Sequence, residues 1–179
     1  IYNGKSFSPV AVANEEILNA SKLLRDNKGN IWASTFGQGV YSFRISKNTI
    51  SGVQNYKVAD GLINDWVRSI MQGRDGSMWF VSKSGASKLE GNTFTTFKSK
   101  DGLISENLKC VVQDFEASIW FGTDGKGALR FTGEAFVCFP TSNALTSDIV
   151  MSVVEDKKNN LTGSPSIKID LTSHGHCHL

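Results

Sequence analysis

The feature that constrains this chain most is a short apolar segment around a tryptophan, which occurs three times. The copies centre on Trp32, Trp79 and Trp120, which stand 47 and then 41 residues apart. A repeat with a period of about 42 residues is stronger evidence about the fold than any local motif, because it identifies the structural unit that the chain multiplies.

Segments outside the tryptophans keep the same period. Lys88–Phe97 returns 42 residues later as Arg130–Phe139, with a glycine and two phenylalanines at matching places. A further motif closes each unit, at Asp60–Leu62, Asp101–Leu103 and Asn143–Leu145. The additional residues between the first two tryptophans fall around Ser46–Gly52, a polar stretch that predicts a longer turn.

One unit contains four apolar runs of strand length. In the third unit these are Leu108–Asp114, Ser118–Thr123, Ala128–Phe131 and Ala135–Phe139. Tight turns between them predict an antiparallel meander with two apolar faces. Stacking such units around an axis buries both faces, so the predicted fold class is all-β, a partial β-propeller of four-stranded antiparallel blades. A linear β-solenoid is less favoured because its coils are usually shorter and parallel.

The order of the motifs resembles a known repeat. Asp-x-x-Gly-x-Ile-Trp-Phe-Gly-Thr, Gly-x-x-Arg-Phe, Gly-x-x-Phe and Asp-Gly-Leu together resemble the two-component regulator propeller repeat. In this sequence they occupy Asp114–Thr123, Gly127–Phe131, Gly133–Phe136 and Asp101–Leu103. The resemblance covers roughly residues 1–160. The sequence departs from the pattern at Ala33, Gly73, Val81 and Ala117.

The repeat predicts about three complete blades with a partial blade at each end. The complete blades are expected over residues 20–56, 67–98 and 108–139. Tyr2–Phe7 matches Phe131–Phe136, so the chain is expected to begin late in a blade. Ile149–Asp156 repeats the start of a unit and is expected to open a fourth blade.

The repeat stops after Leu161. Where a tryptophan is due, the chain continues with Thr162–Pro165, and no repeat feature follows. We therefore divide the chain into propeller blades at residues 1–161 and an atypical tail at 162–179. Our hypothesis is that the tail is non-native, from a truncation or a shifted reading frame, or disordered. The alternative is a permuted four-blade ring in which Ile167–Leu171 adds a strand beside Tyr2–Phe7.

Composition limits the classes of function. A net charge of +2 gives no footprint for nucleic acid or a membrane surface, and no run of about 18 apolar residues could span a bilayer. The resemblance implies seven-bladed rings of about 300 residues, whereas this chain has 179. The opening Ile1–Gly4 is unlike a signal peptide, and the lack of an initiator methionine suggests a fragment or a processed chain. Cys110, Cys138 and Cys177 are odd in number, so no disulfide framework is expected.

Residues with catalytic or metal-binding chemistry are sparse in the repeats. All three histidines lie in the segment 174–178, so the blades have no histidine to act as a general base. That cluster is expected to bind metals only adventitiously. Asp114 and Glu116 are too few for a Ca²⁺ loop and fit turn formation better. We expect no catalytic residue, no metal site and no cofactor, and we expect the repeat tryptophans to form the core between blades.

The loops at one face of the propeller are the candidate ligand site. In a four-stranded meander, the turn between the second and third strands and the connection between blades emerge at the same face. We predict ligand contacts there from Asn64, Asp65, Trp66, Lys83, Glu106, Asn107, Asp124 and Lys126. Trp66 is the strongest candidate because it lies outside the register of the other tryptophans. Anchoring its loop is the alternative role for Trp66, and ordinary solvated turns are the alternative for the polar residues.

The resemblance implies a function as a sensor. Such propellers are periplasmic sensor regions of bacterial hybrid two-component systems, and a membrane helix and a histidine kinase or diguanylate cyclase follow them. The expectation is a non-enzymatic module that recognises a small molecule or oligosaccharide, packs against further blades of a parent chain and makes no membrane contact itself. The alternatives are a protein-interaction scaffold and, less favoured, a propeller lyase or hydrolase.

Overall fold

The computed structural model describes residues 5, 11–12, 15–47, 49–139, 148–156, 161–164 and 167–169. These residues form antiparallel sheets joined by turns and by two single-turn 3₁₀ helices, Val58–Asp60 and Ser99–Asp101. The predicted all-β class is confirmed.

Three consecutive sheets each contain four strands in sequential order, which confirms the predicted blades. Two short paired strands come first, β1 (Ala11–Val12) and β2 (Glu15–Glu16). Blade 1 contains β3 (Ala20–Arg25), β4 (Ile31–Thr35), β5 (Val40–Ser46) and β6 (Thr49–Tyr56). Blade 2 contains β7 (Val67–Gln72), β8 (Met78–Ser82), β9 (Gly85–Glu90) and β10 (Thr93–Phe97). Blade 3 contains β11 (Leu108–Gln113), β12 (Ile119–Thr123), β13 (Ala128–Phe131) and β14 (Phe136–Phe139).

A fourth sheet of three strands follows blade 3. Its strands are β15 (Ser152–Glu155), β16 (Leu161–Ser164) and β17 (Ile167–Ile169), again in sequential order. Strand β16 therefore runs across the division that we drew between residues 161 and 162, although the origin of the tail stays a prediction. Residues 170–179, with all three histidines, lie outside the described residues, as does Tyr2–Phe7 apart from Lys5.

The additional residues of blade 1 lengthen two strands and do not form a long turn. Ser46 pairs directly with Thr49, so the hairpin between β5 and β6 is tight. The register shifts between Ser42 and Arg44, which are paired with Gln54 and Ser51, so the additional residue forms a bulge in β6. The prediction of a longer turn around Ser46–Gly52 is wrong. Polar residues at the edge of a sheet can also continue the two strands of a hairpin into solvent, and they do so here.

The blades pack face to face with their first strands side by side. Strand β3 contacts β7, β7 contacts β11 and β11 contacts β15. The first strand of each blade is thus the innermost one, nearest to the propeller axis, and the fourth is outermost. This order brings the predicted loop face together around the inner strands.

The three repeat tryptophans form the core between blades, as predicted. Trp79 and Trp120 are fully buried and Trp32 is 6% exposed. Each of the first two contacts a phenylalanine of the following blade: Trp32 lies 5.9 Å from Phe80, and Trp79 lies 5.8 Å from Phe121, between ring centroids. Burying rings of this size in aromatic contact is a large apolar contribution to the packing of neighbouring blades.

Two of these tryptophans are each hydrogen-bonded to a buried aspartate in the turn that precedes them. Asp26 Oδ2 accepts a hydrogen bond from Trp32 Nε1 at 2.9 Å, and Asp114 Oδ2 accepts one from Trp120 Nε1 at 2.6 Å. The other oxygen of each carboxylate accepts backbone N–H groups of the same turn. The aspartates therefore stabilise turns, as expected, and Asp114 does so with the oxygens that a Ca²⁺ ion would need.

A hydrogen bond between blades recurs at the end of each first strand. The donor is the backbone N–H of the residue that stands two positions after the first strand of a blade. The acceptor is a side-chain oxygen of the last residue in the first strand of the following blade. The pairs are Asn27 to Gln72, Arg74 to Gln113 and Phe115 to Glu155, each 2.8 Å between N and Oε1. This contact holds the blades in register on the face opposite to the predicted loop site.

Candidate ligand-binding face

Backbone hydrogen bonds join each turn between the second and third strands to the connection that leaves the same blade. The donor and acceptor pairs are Gly39 N to Asp65 O at 3.0 Å, Gly85 N to Glu106 O at 2.8 Å and Gly127 N to Asp148 O at 2.8 Å. The turns and the connections therefore lie together on one face, as the meander topology predicts. We call this surface the loop face.

Two of the predicted carboxylates hold their own connections in shape. Asp65 Oδ1 accepts the backbone N–H of Val58 at 2.9 Å. Glu106 Oε1 accepts both the N–H and the hydroxyl of Ser99 at 2.9 Å, and these hydrogen bonds lower the pKa of Glu106 from its ordinary value. Asp65 and Glu106 thus bind the 3₁₀ turn at the start of each connection.

Asn64 also acts within the loops. Its Nδ2 donates to Ser84 Oγ at 2.8 Å, which joins the connection after blade 1 to the turn of blade 2. Its Oδ1 accepts the backbone N–H of Trp66 at 2.8 Å. The Asn64 side chain therefore holds the backbone of Trp66 with its oxygen and the turn of blade 2 with its nitrogen.

Trp66 and Phe36 form an exposed aromatic pair on the loop face. Their ring centroids are 6.1 Å apart, and the two residues pair as an isolated antiparallel bridge. Trp66 is 56% exposed and Phe36 is 42% exposed. Together with Arg68 and Lys83 they line an open hollow of about 270 Å³. Two aromatic surfaces and two cations therefore converge where blades 1 and 2 meet.

Trp66 lies outside the register of the other three tryptophans, yet its backbone occupies a regular position of the repeat. Phe36 N donates to Asn19 O at 3.0 Å, and Asp124 N donates to Asn107 O at 2.9 Å. Asn19, Trp66 and Asn107 each precede the first strand of their blade. Only the residue type of Trp66 is unusual at this position, where the neighbouring blades have asparagine.

Charged side chains near the axis form a network across blades 2 and 3. Arg68 Nη1 donates to Asn107 Oδ1 at 2.6 Å, and Asn107 Nδ2 donates to Asp124 Oδ2 at 3.0 Å. Lys109 Nζ lies 2.8 Å from the same oxygen of Asp124. The hydrogen bond from Lys109 is the main cause that holds the pKa of Asp124 below its ordinary value.

The structure thus divides the predicted site residues into groups. Trp66 and Lys83 line the hollow. Asn64, Asp65 and Glu106 organise the loops, and Asn107 with Asp124 belongs to the network. Lys126 is an exposed residue in the turn of blade 3, distant in the chain from the residues that line the hollow.

Sequence reasoning did not single out three residues of this face. Phe36 and Arg68 line the hollow, and Lys109 binds Asp124. The available signal was positional: Arg68 and Lys109 both stand second in a first strand, where a side chain lies beside the axis and the loop face. Two cations at one repeat position indicate a functional surface more directly than the loop residues do.

Histidine, cysteine, aspartate and glutamate side chains are the usual protein ligands of metal ions. Among the described residues, no three such side chains are placed to hold an ion. The same part of the chain contains no helix with the length and apolar character to cross a bilayer.

Residues 61–84 match the family model described as two component regulator propeller. That segment is therefore similar to the two-component regulator propeller repeat. It includes the second half of the connection after blade 1 and the first two strands of blade 2, and so it contains Trp66, Arg68 and Lys83. The recognition made from the motifs is confirmed. A comparison with curated proteins gives no match.

Solved structures similar to this chain are extracellular and enzymatic propellers. The extracellular domain of the hybrid two component system BT3049 from B. thetaiotaomicron is 22% identical over 91% of this chain, with a TM-score of 0.78. PorZ, a surface component of the type-IX secretion system of Porphyromonas gingivalis, is 14% identical over 87%, with a TM-score of 0.66. Virginiamycin B lyase from Staphylococcus aureus is 14% identical over 85%, with a TM-score of 0.62.

The chain spans 23%, 26% and 52% of these three structures, in the same order. At these identities the likeness shows the propeller fold. What each of those proteins binds, assembles with or converts is a property of that protein.

Proposed function

We propose that this chain is part of a ligand-sensing propeller of a bacterial two-component signalling protein, and that its loop face binds a carbohydrate-derived ligand. The regulator propeller repeat supports the signalling role, and the extracellular domains of similar fold support a periplasmic location. The observation that carries the site is the hollow lined by Phe36, Trp66, Arg68 and Lys83. The proposed partners are the oligosaccharide and further blades of a parent chain.

The chemistry of the hollow suits a sugar with an anionic group. Exposed aromatic faces pack against the C–H side of a sugar ring, which is apolar, and exclude water from it. Arg68 and Lys83 supply the two cations, and none of the described residues that line the hollow carries a carboxylate. Arg68 already donates to Asn107 and to the backbone of Leu108, which holds its guanidinium in place. Lys83 is exposed in its turn and can move toward a carboxylate or sulfate.

A ligand bound in this hollow can change how blades 1 and 2 pack against each other. Phe36 belongs to blade 1, Trp66 to the connection, and Lys83 to blade 2. A ligand that touches all three favours one relative position of the two blades, because it binds that arrangement more tightly than others. We propose that this shift passes through the inner strands to the output domain of the parent protein.

Binding to a panel of neutral and acidic oligosaccharides tests the proposal. A ligand should raise the melting temperature of the chain, because it binds only the folded state. Trp66→Ala should weaken binding about tenfold or more, since it removes the larger aromatic surface. Lys83→Ala should weaken the acidic sugars and leave the neutral ones unchanged.

Lys126→Ala is the matched control for Lys83→Ala. It removes the same charge from the same face but from the turn of another blade. Equal losses in both variants would mean that affinity follows net charge and not the hollow. If no sugar binds and the chain instead captures a protein partner through this face, the scaffold alternative replaces the proposal. Sugar turnover would favour the lyase or hydrolase alternative, for which fold likeness is the present support.

A further inference from the structure

The residue paired with the repeat tryptophan differs between blades. Trp79 pairs with Lys88 and Trp120 pairs with Arg130 across the second and third strands. In both blades the cationic group lies 5.7 Å from the indole ring and covers it. In blade 1 the partner of Trp32 is Ser42, whose side chain is too short to do this.

A hollow of about 230 Å³ lies at this place, between blades 1 and 2. Trp32, Ser42 and Gln54 line it from blade 1, and Leu89 and Asn92 are among the residues that line it from blade 2. Gly52, Gly76 and Gly91 are also at its wall, and a Cβ on any of them would have no heavy atom within 4 Å. Small residues in both blades therefore leave this space open.

The interface between blades 2 and 3 is filled by larger side chains. Between blades 2 and 3, Phe131 and Phe136 pack 4.8 Å apart and both contact Phe97. In blade 2 the position of Phe131 is taken by Leu89. Leu89 stands where blade 3 has a phenylalanine, and Ser42 stands where blades 2 and 3 have a cation. The interface between blades 1 and 2 is therefore more open than the interface between blades 2 and 3.

A second hollow of about 400 Å³ adjoins the first one. The two share Gln54, Tyr56 and Asn92 as lining residues, and Phe94 lines the second. Tyr56 stacks on Trp32 with 5.6 Å between ring centroids and 14° between planes. The combined groove therefore has an aromatic floor and amide side chains at its walls, within the volume range of small-molecule sites.

Lys28 and Asp60 also line the groove and carry opposite charges, so they offset each other, and the amide groups favour an uncharged partner with many hydroxyls. Gln54 Oε1 accepts the Tyr56 hydroxyl, which leaves the Gln54 amino group directed to other acceptors. The Asn92 amide offers both a donor and an acceptor. The Asp26 carboxylate already accepts four hydrogen bonds, from Lys28 N, from the backbone and side chain of Asn30, and from Trp32. The Asp26 carboxylate is therefore stabilised mainly by hydrogen bonds within the protein and is not free to bind a ligand.

We infer that this groove is a second ligand site, which takes a neutral sugar residue against Tyr56 and Phe94, beside the buried Trp32, with its hydroxyls on Gln54 and Asn92. It lies between the outer parts of blades 1 and 2 and contains none of the residues of the loop-face hollow. The inference stands independently of the carbohydrate site proposed there.

The indole N–H signals of the four tryptophans in a ¹H–¹⁵N spectrum test this inference. Galactose, arabinose, xylose and glucuronate are titrated separately into the chain. A neutral sugar is expected to shift the Trp32 signal, because Trp32 lines the groove directly beneath Tyr56, and to leave the Trp79 and Trp120 signals in place. The absence of a Trp32 shift with every neutral sugar, or a shift with glucuronate alone, overturns the inference.

Ser42→Arg is the decisive variant because it supplies the side chain that covers the same ring in blade 3. It is expected to abolish the Trp32 response while the melting temperature stays level or rises. Asn92→Ala, at an exposed turn position, is the second variant and should weaken binding roughly fivefold through one lost hydrogen bond. Trp66→Ala should leave the Trp32 response unchanged, which separates this groove from the loop-face site. A Trp32 response that survives both Ser42→Arg and Asn92→Ala contradicts the inference.

Discussion

The indole Nε1 of Trp120 lies 2.6 Å from Oδ2 of Asp114, six residues earlier, and Trp32 makes the same bond to Asp26 at 2.9 Å. Each aspartate directly follows the first strand of a blade, and each tryptophan lies in the second strand. The bond therefore connects a surface turn to the core between two blades. In blade 2, Gly73 takes the aspartate position, and the nearby Asp75 accepts the N–H and the hydroxyl of Ser77 instead.

Asp26 makes the stability of blade 1 dependent on pH. Burial alone would raise the pKa of Asp26, but hydrogen bonds from Trp32, Asn30 and Lys28 outweigh burial and lower it. A lowered pKa in the folded state means that Asp26 stabilises the fold above its unfolded pKa of about 3.9 and loses that contribution as pH falls further. Asp26→Asn should therefore cost about 1–3 kcal/mol at neutral pH.

Denaturant unfolding of the wild type and of Asp26→Asn at several pH values gives the measurement. The difference in the free energy of unfolding should shrink as pH falls below about 4. Trp32→Phe in both backgrounds tests whether the indole hydrogen bond is the coupled partner. A difference that stays constant down to the acid limit of folding would contradict this account.

Ala117 introduces backbone strain at a position where the other blades have glycine. Its φ is 68°, and the matching glycines Gly29 and Gly76 have φ of 83° and 84°. A side chain in this left-handed region costs about 1 kcal/mol relative to glycine. Ala117→Gly should therefore raise the free energy of unfolding by about 1 kcal/mol, measured by chemical denaturation.

Gly76→Ala is the reciprocal variant and should lower stability by about the same amount. A Cβ on Gly76 would meet no atom within 4 Å, so the change tests backbone conformation without a steric clash. Two changes of the same sign would refute the explanation from backbone strain.

Glu155 should protect one amide between blades 3 and 4 from hydrogen exchange. Phe115 N donates to Glu155 Oε1, whereas the corresponding acceptors in earlier blades are Gln72 and Gln113. Glu155→Ala should speed exchange of the Phe115 amide, because its acceptor is lost. Glu155→Gln should restore protection, since a glutamine already accepts this bond elsewhere. Equal exchange in all three proteins would show that the contact does not hold in solution.

Leu23 should tolerate truncation to alanine, whereas its repeat partner Ile70 should not. Leu23 is 65% exposed, whereas Ile70, Val111 and Val153 at the same position are 0%, 4% and 7% exposed. Ile70→Ala should cost about 2–4 kcal/mol, and Leu23→Ala should change stability by less than about 0.5 kcal/mol. Urea denaturation compares the two variants. Comparable losses would mean that the described face of blade 1 is covered in solution.

Much of the fold was predictable because the repeat fixes the period and the turns mark the strand ends. Trp79 and Trp120 identified their blades without any three-dimensional information. The hairpin after Ser46 was mispredicted because polar residues fit a long turn and an exposed edge ladder equally well. The departures at Gly73 and Ala117 were visible in the sequence, but their different compensations depend on the position of neighbouring atoms.

The site was predicted less completely than the fold. Topology alone placed Trp66 and Lys83 on one face. It could not tell that Asn64 and Glu106 serve the loops, because hydrogen bonding depends on side-chain direction within a turn. Arg68 was overlooked because a cation in a strand is unremarkable until its neighbour across the blades is known.

The amino-acid sequence by itself determined the blade plan of this protein, since a period of about 42 residues with alternating apolar runs has few ways to bury both faces of each sheet. Only the tertiary structure decided which positions are open. Ser42 and Lys88 occupy one repeat position, yet whether a ring is covered depends on the reach of a side chain from one strand to the next. Contacts between blades join residues about 40 positions apart in the chain. The sequence pattern within one blade therefore does not show which side chains of two blades will meet.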